Sequence, residues 1–389
     1  MVPISPSCAR TLRIISVCAA AAVFLLMLLF APLAFGSSDG ATLLPIVRDG
    51  RYGFANTEGE VVIPCQWEYA APFHEGLALV INDENLCGFI DTTGHLAIPC
   101  QWLDAAEFIN GLAPAENAAG DYGMINPAGE VVIPCQWNDF GSISDAPYFV
   151  DGLMPVENNE DQWGFINREG SLVIPCQWKN AWPFSDGRAL VLNSERYYGF
   201  IDTTGQLAIP CQWLDAFPFT EGLAMVIGPE FQCGYIDAAG TLLIPCQWES
   251  ALPFSEGLAA VTSDGIHWGF INTDGDSVIP CDYLYAESFV NGLAVVQNQE
   301  GYYGFINPQG QAVIPCEWNY AYPFFDELAL VRNQDKLYGT INRDGRLVIP
   351  CQWDAAKPFR NGITEVKKDG GWYYINAAGE IITRKYENN

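Results

Sequence analysis

A strict period is what most limits the folds open to this chain. The heptapeptide Val61 to Trp67, VVIPCQW, returns in close copies eight more times. Its cysteine falls at Cys65, Cys100, Cys135, Cys176, Cys211, Cys246, Cys281, Cys316 and Cys351. Every step is 35 residues except the one from Cys135 to Cys176, which is 41. The extra six lie between Trp137 and Asp151 and leave the spacing on either side unchanged, so a surface connection has lengthened without shifting the scaffold. Self-similarity at such a period means stacked supersecondary units that bury their faces against neighbours.

Each unit holds three apolar segments. The first is an aromatic–glycine segment such as Trp163 to Ile166, and the second is the proline–cysteine segment. The third is aliphatic, such as Leu77 to Val80, and follows a connection that ends in a PF-x-EG pattern. Asn-x-x-Gly or Asp-x-x-Gly separates the first two ten times, from Asn56–Gly59 to Asn376–Gly379. Asn or Asp bonds its own backbone at a turn, and glycine takes the left-handed position, so the pattern predicts a hairpin closed by a type I turn and a glycine bulge. Pro127 and Pro308 stand at the second turn position, which wants their fixed φ. Alternation places Val61, Ile63, Cys65 and Trp67 on one face of the next strand. Val62, Ala97, Val132 and Val173 on the opposite face are apolar too, which predicts that both sides are covered. Pro64 cannot donate to a ladder and should mark where regular pairing ends. The fold class is therefore all-β, with tandem three-stranded meanders of about 35 residues in about ten units.

The last unit reads GEIITRKYENN, with Arg384, Lys385, Tyr386 and Glu387 in the places of Pro, Cys, Gln and Trp. Lys385 at a buried cysteine position implies that this face meets water, as the polar cap of a stack does. An open β-solenoid or spiral is the expectation, and a closed propeller-like array is the alternative.

Arg10 and Arg13 precede an apolar run from Ile14 to Phe30, followed by APLAFGSS. That is the layout of a secretory signal with a cut before Ser37, and the run is nearly long enough to be an uncleaved membrane anchor. Residues 1–36 are read as signal peptide or anchor and 37–389 as the repeat array. The array is placed outside the cytoplasm, secreted or anchored at the cell surface, with the membrane touched only through the N-terminal segment. With 46 acidic residues against 18 Lys and Arg, the net charge of −28 repels phosphate backbones and argues against nucleic-acid binding.

An aromatic before GFIN, then xxGxxVIP, an aromatic and PFxEGLAxV together resemble the bacterial WG-repeat family across residues 44 to 386. The name-giving pair is intact only at Trp163–Gly164 and Trp268–Gly269. Tyr52, Tyr122, Tyr198, Tyr303 and Tyr338 replace the tryptophan in five units, and Cys87 and Cys233 in two others. In the last unit Trp372 is followed by Tyr373, so the glycine is lost. The resemblance implies repeat β-structure and, commonly, export or envelope association, and it brings no catalytic residues. The aromatic–glycine hairpins are also distantly similar to choline-binding repeats.

Nine equivalent cysteines allow three readings. A disulfide needs Cα atoms within about 7 Å, whereas neighbours one meander apart are roughly 14 Å apart. Zinc wants C-x-x-C or Cys/His pairs, and neither occurs, since His74, His95 and His267 do not follow the repeat. Packing as a small apolar side chain is the favoured reading, with disulfides as the alternative. Cys87 and Cys233 are the better pair for any redox role.

The acids before the EG glycine, Glu75, Asp151, Asp186, Glu221 and Glu256, exchange with Asn110, Asn291 and Asn361. That exchange suits turn formation rather than a glycosidase pair. Asp104, Asp139, Asp215 and Asp354 follow the strand aromatic and are read as capping or solvating the connection. No catalytic, cofactor or metal site is expected, and no nucleotide-loop motif is present. The strand aromatics either fill the core between units or line a groove. Trp163, Trp182, Phe217, Trp268 and Tyr322 vary more between units and are the candidate ligand or partner contacts. The function expected is a non-catalytic exported scaffold for a protein or cell-envelope component. The alternative is a small-ligand module for a wall glycan or choline-like group.

Overall fold

The computed structural model describes residues 42–140, 148–325 and 327–387. The segment on which the export expectation rests lies outside them, as do residues 141–147 of the lengthened connection. Described residues are strands and turns throughout, in two compact units: Trp178–Cys351 forms one, and the described residues up to Gln177 and from Gln352 form the other.

There are ten small sheets among the described residues, nine of four strands and one of three. A representative sheet runs Tyr69–Ala70, Leu77–Ile81, Cys87–Asp91, Leu96–Trp102, in chain order and antiparallel. The three-stranded meander is thus one strand short. Directly after the strand aromatic a single residue turns the chain, as Leu103 does after Trp102, donating its N–H to Glu116 O at 2.9 Å. Asp104–Ala105 then leave one sheet and join the next, against Ala113–Glu116. Repeats are therefore joined by a nearly continuous bent strand. In the lengthened repeat the short strand shrinks to the bridge Asp139–Glu157, beside a sheet of Leu153–Glu157, Trp163–Asn167 and Leu172–Trp178.

The turns are built as their residues dictate. Asn56 Oδ1 accepts from the N–H groups of Glu58 and Glu60, at 3.1 and 2.8 Å, and the same pattern recurs down the chain. Gly59 has φ of +85° and Gly240 +82°, values that an L side chain adopts only with strain. Gly240 also sits on the Ile209 side chain of the preceding repeat, 3.2 Å from where its Cβ would be. Repeat thus docks on repeat through a bare turn.

Cysteine and glycine form a matched pair. Tyr235 lies opposite Ile244 and Cys233 opposite Trp248, so the strand from Ile244 to Trp248 carries two more residues than its partner over the same span. Pro245, Cys246 and Gln247 make a bulge at the sheet edge, where a missing proline N–H does no harm. The bulge folds over Gly234: a Cβ there would stand 2.7 Å from Ile244 O and 2.9 Å from Cys246 Sγ. Equivalent contacts tie Gly88 to Cys100 and Gly339 to Cys351. In the final repeat the bulge is absent: Tyr373 stands at the glycine's place, directly opposite Arg384 on a strand of only four residues, Ile381–Arg384.

The core between repeats is aromatic and aliphatic. Phe89 meets Phe108 of the next connection with ring centroids 4.8 Å apart, and Phe200 meets Phe219 at 4.8 Å. All four rings are buried. Such pairs contribute about 0.5–1.5 kcal/mol beyond the area they bury.

The open spiral is corrected by the two chain ends, which share one sheet. Tyr386–Glu387 pairs in parallel with Leu44–Arg48, and Val47 N–H donates to Lys385 O at 2.6 Å. The turn at Gly59 sits on Ile382 and Thr383 of the last repeat, as Gly94 sits on Ile63. The first and last described strands therefore pair, as the alternative reading requires and an open stack does not. Lys385 does not face water: its side chain is 12% exposed, its Nζ lies 2.9 Å from Glu365, and it is over the rings of Tyr374 and Tyr386. A buried carboxylate twenty residues upstream makes a cationic residue acceptable inside.

Candidate interaction surface

The start of each cysteine strand is open on both sides. Val61–Val62, Val131–Val132, Leu172–Val173, Leu242–Leu243 and Leu347–Val348 are each 41–52% exposed. Adjacent strand residues point to opposite faces, so two exposed neighbours mean that neither face is covered there. The expectation of a strand covered on both sides is therefore corrected. The strand lies at the sheet edge, and its burial begins only at the following isoleucine, Ile63, which is 1% exposed. Leu96, Leu207, Val278 and Val313 add single exposed aliphatics in other repeats. Exposed aliphatic pairs thus recur at one edge position in five of the repeats.

The named aromatics divide by burial. Trp163 and Phe217 are buried, whereas Trp182, Trp268 and Tyr322 are half-buried. Trp182 packs on Tyr198 at 5.7 Å, and Tyr322 on Tyr320 at 5.0 Å. The five sit in different repeats and the structure does not bring them together as one site. The strand tryptophans turn inward: Trp102, Trp137, Trp213 and Trp353 are buried, the rest half-buried, and the indole nitrogens of all eight are buried.

Acids of the EG turns have a role that the sequence hid. Glu221 reaches the following repeat and accepts from the N–H groups of Glu256 and Gly257, at 2.6 and 2.9 Å. Glu75 does the same to Asn110 and Gly111, at 2.7 and 2.8 Å. Asp186 and Glu256 each accept from the next turn glycine, Gly222 and Gly292. Two successive left-handed residues, such as Glu256 and Gly257, aim their N–H groups at one anion. The signal was available, as an acid placed one period before such a turn. Glu221→Ala should lower unfolding stability by about 1 kcal/mol, and Glu221→Gln by less, read from denaturant midpoints.

Asp104 and Asp215 cap their own short strands through the N–H groups of Ala105 and Ala216, both at 2.9 Å. His267 bonds Asp264 of its own turn at 2.7 Å, and His95 bonds Thr93. The eleven described cysteines are free thiols, and among the described residues no cluster has the make-up of a metal site. Repeat cysteines are half-buried. Cys87 and Cys233, set apart by the sequence as the better redox pair, are the buried ones, and burial pushes their thiols up to about 11 and about 12. Both are poor thiolates.

One acid is buried without a charged partner. Glu287 is 5% exposed and accepts from Tyr285 Oη at 2.8 Å. Burial pushes its carboxyl up to about 7, and the Tyr285 bond opposes that rise. It arises in a connection that carries Glu287–Ser288 where neighbouring repeats carry Leu252–Pro253 and Tyr322–Pro323.

Ten small antiparallel sheets of like strand order, among the described residues, define a tandem β-repeat protein. The chain belongs to the WG containing repeat family, whose model matches at residues 52–85, 88–117, 122–160, 163–197, 198–227, 234–265, 268–302, 303–336 and 338–372. No curated protein matches the chain. Among solved structures it is similar to the computationally designed Ika8 protein, with 11% identity over 87% of this chain and 100% of that one, at a TM-score of 0.36. It is also similar to BamB from Moraxella catarrhalis, with 11% identity over 70% of this chain and 95% of that one, again at 0.36.

Proposed function

We propose that the chain is a non-catalytic interaction scaffold, working outside the cytoplasm, that engages a protein or cell-envelope component through its repeated exposed aliphatic pairs. The observation that carries the reading is the recurrence of those pairs at the same edge position, in place of any single privileged site. The apolar run and small-residue exit of residues 1–36 support the location. The half-exposed faces of Trp182, Trp268 and Tyr322 favour a second reading, binding of a wall glycan or choline-like group.

The test replaces Val61–Val62, Val131–Val132 and Leu242–Leu243 by serine pairs, one, two and three at a time. Cosedimentation of the purified full-length chain with washed envelopes of the cell that makes it is then measured. Bound protein should fall stepwise, several-fold across the three. Unchanged binding with all three pairs gone would sink the reading. Saturable binding of soluble wall fragments, lost in Trp182→Ala and Trp268→Ala, would establish the second.

A further inference from the structure

The place that Glu287 fills is an apolar one in the neighbouring repeats. Trp182, Phe217, Leu252 and Tyr322 stand there after the short strand, and Phe217 and Leu252 are buried. Each is followed by a proline, Pro183, Pro218, Pro253 or Pro323, where this connection has Ser288. Glu287 is buried in its turn, with Oε1 accepting from the Tyr285 hydroxyl and Oε2 without a hydrogen-bond partner. Ser288 Oγ is buried without a partner as well. Among the described residues no cation pairs with the carboxyl. Tyr285 faces it from its own strand, while burial and then the Glu287 charge raise the phenols of Tyr303 and Tyr320 on the elements packed beside it. Tyr322 feels the same charge more weakly, and all these phenols stay protonated near neutrality. Arg332 acts on the same row but is stacked on Tyr320 and Tyr338 and bonded to Asn319 Oδ1 at 2.7 Å. A carboxylate is costly in such a place, whereas a neutral carboxyl with one hydrogen bond is not.

We propose that the connection at residues 285–291 is a pH-operated joint between two repeats, closed while Glu287 is protonated and loosened when it ionises. Few contacts hold it shut. Glu287 N–H donates to Val295 O at 3.0 Å, and Gly292 N–H donates to Glu256 at 2.8 Å. The Phe289 ring rests on Phe270 of the preceding sheet, with centroids 4.9 Å apart. Serine in place of proline also gives the opened segment more conformational freedom, which favours opening. Burial, opposed by the Tyr285 bond, puts the closed carboxyl at about 7 against an ordinary 4.5. Opening returns it to water, where it ionises from its ordinary value. The closed form is therefore most favoured below pH 4.5, loses ground as pH rises, and is weakest above about 7. Proton linkage between those two values raises the opening constant about tenfold from pH 6 to pH 8. The motion is local to one repeat and stands apart from the recurrent aliphatic pairs.

The experiment is native-state hydrogen exchange of the full-length chain at pH 6 and pH 8, with each rate corrected for the base catalysis of exchange itself. The opening constant at the Glu287 amide should be about tenfold higher at pH 8. The Leu252 amide, which donates to Ala260 O at 2.9 Å in the equivalent connection, is the internal control and should stay flat. Glu287→Gln keeps an acceptor for the Tyr285 hydroxyl and cannot ionise, and Glu287→Leu restores the residue of the neighbouring repeat. Both variants should flatten the profile at residue 287. The proposal is overturned if the parent shows no pH dependence there, if the Leu252 amide follows the Glu287 amide, or if either variant keeps the parent's profile.

Discussion

Gly234→Ala should destabilise its repeat by about 3 kcal/mol, and Gly234→Val by more. The new Cβ would lie 2.7 Å from Ile244 O, 2.8 Å from Cys246 N and 2.9 Å from Cys246 Sγ. Two of those atoms are backbone, fixed within the bulge, so the clash is not relieved by turning a side chain. Removing the sulfur in Gly234→Ala with Cys246→Ala should recover only the smaller part of the loss. Denaturant unfolding followed by tryptophan fluorescence measures the cost. Thiol labelling reports the mechanism, because Cys246 should label faster as the bulge lifts. An alanine variant within about 0.5 kcal/mol of the parent would mean that close packing under the bulge is not why glycine follows the aromatic.

Lys385→Met should cost about 2 kcal/mol, because it leaves the half-buried Glu365 with only one cation. That remaining partner is Lys357, 3.0 Å away and largely exposed. Burial alone would push the Glu365 carboxyl up, but the ammonium groups of Lys385 and Lys357 outweigh it and hold it below its ordinary 4.5. A carboxylate held low in the folded state adds stability that is full above the unfolded value and is lost as pH falls through the folded one. The seam should therefore weaken below about pH 4.5 in the parent, and Lys385→Met should flatten that dependence. Hydrogen exchange at the Val47 amide, which donates to Lys385 O, reads the seam directly and should speed up in the variant.

Much of the architecture is legible in the residues. The Asx-x-x-Gly turns, the break at proline and the packing of cysteine all follow from local chemistry, because each depends on neighbours within one repeat. The short strands are not legible because Tyr69–Ala70 and most of its equivalents are two residues long, too few for alternation to register. Closure is hidden because Lys385 makes sense inside only beside Glu365, which lies on a strand of its own with nothing in the pattern to pair them. The Glu221 staple is hidden for the opposite reason: its reach of 35 and 36 residues coincides with the period itself and so looks like repetition. Glu287 is one acid among many in the sequence, and the connection at Ala106–Glu107 lacks the same proline, so no local pattern singles it out.

The seam also limits how the gene can grow. An interior module copied in tandem brings its own glycine and cysteine, so every new junction would match the old ones in both. The final module has Tyr373 at the glycine's place and a strand of four residues, Ile381–Arg384, without the cysteine bulge, and its last strand pairs with Leu44–Arg48. Duplications should accumulate in the middle of such chains, with the two terminal segments inherited as a fixed pair.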